Sequence, residues 1–338
     1  MRVLITGGSG FLGARLARTL LKTGRLALAG AAAAEITELR LTDLAPPPAD
    51  LLADARVSAV TGDLAALLRD GRLALDDIDA VVHLAAAVSA ECEADLDLGL
   101  RSNLEASLAL LQAARHAGRA PVFVFASSVA VFGAAPGRSL PETIEDDDLP
   151  VPRSSYGVQK FAVEQLVADF DRRGLVRGRN VRLMTVAVRP GRPNGAASGF
   201  LSGMVREPLA GARCVVPVSP ETRVALASPG NTVAGLLRAL EASADAWGPA
   251  TAVNLPALST TAGEIAQALA RVAGDEAASR LDWQPDARIA AIVGGWPARF
   301  AGTRAKALGL APDASVEALI RAYAADHPDA LQRPLRDA

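Results

Sequence analysis

Tyrosine and lysine are rare in this chain, yet one of each stands four residues apart. The 338 residues contain two tyrosines and three lysines, namely Tyr156, Tyr323, Lys22, Lys160 and Lys306. A four-residue step on a helix places Tyr156 and Lys160 on one face. A phenol with a pKa near 10 needs about 4 kcal/mol of help to act as a base at neutral pH, and an adjacent ammonium supplies such help. The pair predicts a general base, the alternative being a surface pair without function.

A glycine-rich segment lies between the first predicted strand and the first predicted helix. It reads GGSGFLG over residues 7–13. Glycines at this spacing allow a tight turn, a close approach to a pyrophosphate and close packing of helix on sheet. The amides at the start of the helix then bind the phosphates. The segment predicts a dinucleotide site made by Gly7, Gly10, Phe11, Leu12 and Gly13.

An acidic residue, Asp43, ends the second predicted strand. A carboxylate at that place accepts hydrogen bonds from the adenosine ribose and repels a 2′-phosphate, which favours NAD over NADP. The alternative is that Asp43 caps the proline-rich loop that follows, and Arg40 nearby weighs slightly against NAD. After the third strand, Asp63 and Leu64 are the candidates to meet the adenine.

Polar and small residues follow two further strands, at the edge of the sheet where ligands bind in open α/β folds. Ser128 follows a buried strand and is placed to hold a substrate oxygen. We expect His83 to be structural, and the small residues after it to leave room for the cofactor: Leu84, Ala85 and Ala86. Ser89 is a weaker candidate for contact with substrate.

The elements that must position these residues alternate between strand and helix. Strands are predicted over residues 2–6, 38–42, 57–61, 80–84, 121–126 and 181–188, and helices over 11–23, 100–117 and 156–173. This alternation predicts an α/β fold, a Rossmann-type doubly wound parallel sheet.

The second half is less regular and predicts a smaller, interleaved C-terminal substrate lobe. Residues 189–222 show little periodicity, and after them we expect strands over 223–227 and 252–255 and helices over 232–242, 261–273 and 316–325. The predicted domains are an NAD-binding domain over 1–188, to which parts of 223–255 return, and a mainly substrate-binding lobe over 189–338.

Charge and composition exclude several classes of protein. The formal net charge of −2 argues against a nucleic-acid partner. No apolar run approaches the roughly 20 residues of a membrane helix, and no export signal precedes the first strand. Cys92 and Cys214 form neither a disulfide framework nor a metal-binding spacing, so we expect no metal and a cytoplasmic protein.

Together these motifs resemble the extended short-chain dehydrogenase/reductase superfamily over essentially the whole chain. The resemblance implies that Tyr156 is the catalytic base, that Lys160 binds the nicotinamide ribose and acidifies the tyrosine, and that Ser128 positions the substrate. It also implies that Asn103 supports the site and that Pro190, in the Arg-Pro-Gly turn, contacts the cofactor. The helices of Asn103 and Tyr156 are then expected to form a four-helix bundle in a homodimer.

Within that superfamily the chain is similar to the D-erythronate dehydrogenases. The similar stretches are residues 94–99, 188–194, 197–200, 206–211 and 217–223. Those enzymes oxidise the C2 hydroxyl of a four-carbon sugar acid to a 2-oxo acid with NAD. The resemblance therefore implies a small sugar-acid substrate.

The choice of substrate depends on arginine. Sugar-nucleotide epimerases of the superfamily usually carry an asparagine near position 192, whereas this chain has Arg192, with Arg223 in a later loop. Guanidinium groups bind carboxylates bidentately, so Arg192, Arg223 and Asn194 are predicted to hold the acid. Arginine also binds diphosphate, which leaves an epimerase with tightly bound NAD as the alternative. A non-catalytic dinucleotide sensor is a further alternative, although such proteins typically lose the tyrosine or the lysine.

Overall fold

The computed structural model describes residues 1–135, 137–191 and 196–336. Its strands, in chain order, are β1 (Arg2–Thr6), β2 (Arg25–Leu26), β3 (Ala34–Glu35), β4 (Glu38–Asp43), β5 (Val57–Thr61), β6 (Ala80–His83), β7 (Val122–Ser128), β8 (Arg177–Leu183), β9 (Thr185–Val186), β10 (Cys214–Val216), β11 (Arg223–Ala227), β12 (Val253–Asn254), β13 (Leu258–Thr261) and β14 (Leu281–Trp283). Seven of them form the central sheet.

The helices of the described residues are α1 (Phe11–Thr23), α2 (Ala49–Leu52), α3 (Leu64–Arg69), α4 (Ser89–Ala94), α5 (Leu96–Gly99), α6 (Ala106–Ala117), α7 (Ser155–Arg172), α8 (Gly199–Leu209), α9 (Pro229–Glu241), α10 (Ala244–Trp247), α11 (Ala262–Ala273), α12 (Asp275–Ala278), α13 (Ala287–Gly294), α14 (Thr303–Ala307) and α15 (Val316–Asp326). A π-helical turn, Leu100–Glu105, joins α5 to α6. In the described part of the chain, no helix is long and apolar enough to cross a membrane.

The central sheet confirms the predicted Rossmann-type α/β fold. Its strand order is β12-β8-β7-β6-β1-β4-β5, and the pairings from β7 to β5 are all parallel. Strands β4 and β5 lie on one side of β1, and β6 and β7 lie on the other. In this class of fold, ligands bind at the carboxyl ends of the strands near the point where the strand order reverses.

The chain divides into two units, and the first contains residues 1–131, 154–182 and 233–253. Its core packs the apolar faces of α6 and α7 on the buried strands β1, β6 and β7. Representative residues are Leu4, Val81, Leu110, Phe123 and Val163. Strand β7 is buried over nearly its whole length, as the continuous apolar run of a central parallel strand requires.

The second unit contains residues 132–153, 183–232 and 254–338. It includes 132–153, which lies within the predicted first domain over 1–188. In this segment Phe132 packs on the ring of Phe300, and Ile144 pairs with Phe300 as a β-bridge. These contacts, between residues far apart in sequence, assign the segment to the second unit.

The predicted strand over 181–188 is wrong in its bounds. Strand β8 begins at Arg177, while Thr185 and Val186 form β9, which pairs with β11 in a separate sheet. The hydrophobic pattern missed the first half of β8 because that half carries polar residues. Arg179 is nevertheless buried and stacks on Trp247, 5.2 Å from its ring centroid.

The segment over residues 189–222, which showed little periodicity, contains helix α8 and strand β10. Glycine disfavours the interior of a helix, and α8 contains Gly199, Gly203 and Pro208. Its apolar residues Leu201, Met204 and Val205 are buried in the core of the second unit. Tertiary packing therefore stabilises a helix that local sequence disfavours.

Candidate active site

The glycine segment forms a tight cradle between β1 and α1. Gly7 has a φ of +69°, which L-residues rarely adopt. A Cβ on Gly13 would lie 2.1 Å from the Gly7 carbonyl oxygen, and a Cβ on Gly7 would lie 2.8 Å from the amide nitrogen of Ala85. Gly10 provides the N-cap of α1 without any side chain over the helix terminus.

This cradle fits the phosphates of a dinucleotide. The first-turn amides of α1, at Phe11, Leu12 and Gly13, have no intrahelical acceptor, and an N-terminus of this kind favours an anion. Gly8 was not among the predicted residues, yet its Cβ would lie 2.9 Å from the Leu41 Cβ. The motif itself holds the signal for Gly8, as a fourth glycine that has to lie against β4.

We expect Gly13→Ala to abolish detectable NAD binding, a loss of about 100-fold or more in affinity, because the added methyl must displace the Gly7 carbonyl. Gly294→Ala is the matched control, since Gly294 is also helical and has nothing within 4 Å of its added Cβ. The measurement is calorimetric titration with NAD. Binding by Gly13→Ala at the wild-type affinity would contradict the assignment of the cradle.

Asp43 lies at the end of β4, against the glycine cradle. Its Oδ2 accepts hydrogen bonds from the amides of Ser9, at 3.1 Å, and Gly10, at 3.2 Å. Its Oδ1 accepts one from the Leu44 amide at 2.7 Å, so the carboxylate also caps the following loop. Arg40 forms ion pairs with Glu38 and Asp77.

Two of the predicted adenine contacts have structural roles. Asp63 caps α3, where its carboxylate accepts a hydrogen bond from the Ala66 amide at 2.9 Å. Leu64 is buried and packs in the core of the first unit. Their contact with adenine stays a prediction.

The residues after β6 lie against the cradle. The Leu84 amide donates to the Thr6 carbonyl at 3.1 Å, and the Ala85 amide donates to Thr6 Oγ1 at 3.3 Å. Ala86 continues this short segment. Leu84 and Ala85 lie beside Gly7, where a loop that faces the cofactor is expected.

His83 is a structural histidine, as expected. It is fully buried, with Nδ1 2.6 Å from Thr6 Oγ1 and Nε2 2.8 Å from Ser107 Oγ. Burial, with a smaller effect of the Lys160 charge, lowers the pKa of His83 to about 3. Its neutral ring ties β1, β6 and α6 together.

This burial predicts a dependence of stability on pH. The unfolded histidine takes up a proton near pH 6.5, whereas the folded one does so only near 3, so its contribution is complete above pH 6.5 and is lost as the pH falls. The expected loss is about 2 kcal/mol at pH 5. Urea unfolding at pH 7 and pH 5 should show a smaller loss for His83→Asn and the wild-type loss for the control His116→Asn, since His116 is exposed. An unchanged loss in His83→Asn would contradict this origin.

Asn103 lies in the π-helical turn and is buried. Its Oδ1 accepts from the Ala87 amide at 2.8 Å, and its Nδ2 donates to Gln159 Oε1 at 2.9 Å and to Cys92 Sγ at 3.2 Å. It thereby links the loop after β6 to α7, one residue before Lys160. Gln159 and Cys92 were not predicted, because only tertiary contact brings them to Asn103.

Helix α7 carries the tyrosine and lysine on one face. Ser154 caps the helix, its hydroxyl accepting from the Gly157 amide at 3.1 Å. Lys160 is buried, and its Nζ lies 5.6 Å from the centroid of the Tyr156 ring and donates to the Ala126 carbonyl at 2.9 Å. Burial lowers the pKa of Lys160 to about 8. The pair is thus a half-buried phenol beside a buried ammonium.

The two serines that end β7 have different surroundings. Ser127 is buried, and its hydroxyl donates to the Glu164 carboxylate. Ser128 is only partly buried, and its Oγ accepts from the Ala130 amide at 3.2 Å. Ser128 therefore follows the Lys160 contact at Ala126 by two residues and is the more accessible hydroxyl.

Ser89 begins helix α4 and is buried. The same helix carries Glu93, whose Oε1 accepts the Ser155 amide at 2.5 Å. Glu93 therefore binds the start of α7 directly before Tyr156, and it was not among the predicted residues because only tertiary contact brings it there.

The remaining predicted residues belong to the second unit or lie outside the described residues. Pro190 follows Arg189, whose amide donates to Ser202 Oγ at 3.0 Å. Arg223 is exposed at the start of β11, opposite Thr261. Arg192 and Asn194 lie outside the described residues.

Arg223 has an acidic neighbour. The pKa of Glu264 is lowered chiefly by a hydrogen bond from Thr260, and Arg223 adds a smaller electrostatic effect.

Among the described residues, no group of three His, Cys, Asp or Glu side chains is placed to hold a metal ion.

The sequence is similar to known proteins over almost its entire length. The pattern of the NAD dependent epimerase/dehydratase family matches residues 3–254. The chain is 50% identical over 329 residues to the D-erythronate dehydrogenase of Cupriavidus necator, covering 96% of this chain and 98% of the relative. It is 38% identical over 323 residues to the D-erythronate dehydrogenase of Haemophilus influenzae, with the same shares covered.

A solved structure agrees with the fold. The nucleoside-diphosphate-sugar epimerase of Agrobacterium tumefaciens superposes with a TM-score of 0.87 at 36% identity, covering 98% of this chain and 96% of that one. These three relatives carry two kinds of name, a sugar-acid dehydrogenase and a sugar-nucleotide epimerase.

Proposed function

The chain belongs to the NAD dependent epimerase/dehydratase family and is an NAD-dependent oxidoreductase, and on that premise we propose that it oxidises the C2 hydroxyl of a short sugar acid, D-erythronate or a close analogue, to the 2-oxo acid. The observation that carries the proposal is the buried Lys160 ammonium beside the Tyr156 ring. The names of the two relatives that match over nearly their whole length support the choice of substrate.

The residues of α7 and β7 act on the proton of the C2 hydroxyl. Tyr156 removes it, and the Lys160 ammonium stabilises the phenolate that does so. Ser128 binds the same hydroxyl oxygen and orients it. Bound NAD would accept the hydride from C2. Asp43, at the end of β4, would accept hydrogen bonds from the adenosine ribose and repel a 2′-phosphate, which favours NAD over NADP. Asn103 acts as a positioning residue through Gln159.

The carboxylate of the substrate needs a positively charged side chain to bind it. We assign this role to Arg223, together with Arg192 and Asn194, because a guanidinium binds a carboxylate through two parallel hydrogen bonds. Ser89 is a weaker candidate for a substrate hydroxyl. Pro190 is assigned to the cofactor.

The name of the Agrobacterium tumefaciens structure favours a second candidate, a nucleoside-diphosphate-sugar epimerase. Such an enzyme keeps its NAD tightly bound and returns the hydride to the other face of the sugar, so no net NADH appears. The two functions therefore differ in a quantity that is simple to measure.

The test incubates purified protein with NAD and D-erythronate and follows NADH absorbance. We expect NADH from D-erythronate, and little from erythritol, which has the same carbon chain without the carboxylate. A parallel incubation with UDP-glucose is expected to give no UDP-galactose. Absence of NADH with every four-carbon acid, together with interconversion of the UDP-sugars, would overturn the proposal.

We also propose that the enzyme is a homodimer, formed by a four-helix bundle of the helices that carry Asn103 and Tyr156. Exposed apolar side chains on adjacent helices support it, since Leu96 on α5 and Val158 on α7 are about half exposed, at 56% and 53%. Sedimentation at two protein concentrations tests it, and a monomer at both would exclude it.

A further inference from the structure

A buried ion pair lies one helical turn beyond Lys160. Glu164 and Arg182 are almost fully buried, with side-chain exposures of 2% and 5%. Arg182 Nε donates to Glu164 Oε1 at 2.9 Å, and the Arg182 terminal nitrogen donates to Oε2 at 2.7 Å. The hydroxyl of Ser127 also donates to Oε1. A buried charged pair of this kind is weak evidence for stability, so its place in the molecule needs another reason.

The ion pair contacts the same helix and strand that carry the predicted catalytic residues. Two successive turns of α7 bind two successive residues of β7, because Lys160 bonds the Ala126 carbonyl and Glu164 bonds the Ser127 hydroxyl. The next residue of the strand is Ser128. The end of β7 is therefore hydrogen-bonded to the same face of α7 that carries Tyr156.

We propose that Glu164 and Arg182 are positioning residues that act through Ser127, holding Ser128 and the carbonyl that anchors Lys160 in register with Tyr156. The proposal rests on the proposed function, in which Tyr156 and Ser128 act on the same hydroxyl. The observation behind it is the placement of Tyr156, Lys160 and Glu164 along α7, beside the end of β7.

The groups that face Lys160 indicate which charge matters. Its charge interacts with Cys92 on α4, whose pKa burial raises, and with His83 on β6, whose pKa of about 3 leaves it neutral. On its own helix it meets Tyr156 and Glu164. Glu164 is therefore the carboxylate among the groups that interact with the Lys160 charge.

Ser127→Ala is the sharpest test, because it cuts the link and leaves the ion pair intact. Glu164 Oε1 still accepts from Arg182 Nε, so no charge is left unpaired. We expect kcat to fall by about ten-fold to 100-fold, since a displacement near 1 Å costs up to about that much. The KM for NAD should stay near the wild-type value. Urea unfolding should remain one cooperative transition with a modestly lower midpoint, because one buried hydrogen bond to a carboxylate is lost.

A second measurement needs neither cofactor nor substrate. The tyrosinate absorbance of the apo protein reports only Tyr156 and Tyr323, and burial raises the pKa of Tyr323. Subtracting the titration of Tyr156→Phe isolates Tyr156. We expect its ionisation to move to higher pH in Ser127→Ala, because Lys160 is less firmly held beside it, whereas a purely structural role would leave it unmoved.

The chain contains a matched control on β4 and β5. There Ser58 donates to Glu38 Oε1 at 2.5 Å, and Arg40 Nε donates to the same atom at 3.0 Å. These are the same three residue types, on strands that β6 and β1 separate from β7 in the sheet. Ser58→Ala should leave both kcat and the Tyr156 titration unchanged.

The outcomes separate the two proposals. Wild-type kcat and wild-type tyrosine titration in Ser127→Ala, or equal effects from Ser58→Ala, would overturn the positioning role. If wild-type protein forms no NADH from four-carbon acids, the proposed function fails, and the tyrosine titration still decides whether the link positions Lys160. Arg182→Lys, which keeps the charge but loses the two-pronged hydrogen bond, should shift the titration in the same direction.

Discussion

Tyr156→Phe is expected to lower kcat for sugar-acid oxidation by about 10³-fold, while NAD binds with unchanged affinity. The substitution removes only the hydroxyl that accepts the substrate proton, and the ring that packs beside Lys160 stays in place. Initial rates of NADH formation at saturating substrate give kcat, and calorimetric titration gives the NAD affinity.

Tyr323→Phe is the matched control, because Tyr323 is the second and last tyrosine of the chain. It lies on α15, in the core of the second unit, and its loss should leave kcat unchanged. Retention of more than a tenth of the activity by Tyr156→Phe would contradict the role of the phenol. A non-catalytic dinucleotide sensor predicts a different result, since its wild-type form would turn over no substrate.

Lys160→Met is expected to lower kcat by about 10² to 10⁴-fold without destabilising the fold. Burial lowers the pKa of Lys160 from 10.5 to about 8, so the ammonium costs about 3 kcal/mol of folding free energy below pH 8. Losing the hydrogen bond from the charged ammonium to the Ala126 carbonyl offsets about 2 to 3 kcal/mol of that gain. At pH 7 the variant should therefore be as stable as the wild type, or more stable by about 1 kcal/mol.

The pH dependence of this difference has a definite sign. Between pH 8 and pH 10.5 the unfolded wild-type chain binds more protons than the folded one, so wild-type stability rises relative to that of Lys160→Met and the difference moves in favour of the wild type. Urea unfolding at pH 7 and pH 10 measures it. Lys22→Met, at an exposed position of α1, is the control and should change neither kcat nor stability. Unfolding of Lys160→Met at pH 7 would show that the lysine is structural.

Local patterns in the sequence predicted the parts of the site that depend on neighbours along the chain. The glycine spacing predicted the cradle, and α1 begins and ends at the expected residues, Phe11 and Thr23. The four-residue step predicted that Tyr156 and Lys160 share a face of α7. In each case the geometry of one turn or one helix is sufficient.

Contacts between distant segments were not predictable in this way. Glu164 follows Lys160 by four residues, the same step that marked Tyr156, but nothing local indicates that it meets Arg182. The bonds from Asn103 to Ala87 and Gln159 likewise depend on how α7 packs beside the π-helical turn. Buried polar pairs of this kind run against the hydrophobic pattern on which sequence interpretation depends.

The most direct test of the account uses D-erythronate that carries deuterium at C2. We predict that the deuterium appears in the nicotinamide ring of NADH, in equal amount to the 2-oxo acid formed, and that the initial rate falls relative to unlabelled substrate. Unlabelled NADH, or deuterium that stays in the sugar acid without any NADH, would contradict oxidation at C2.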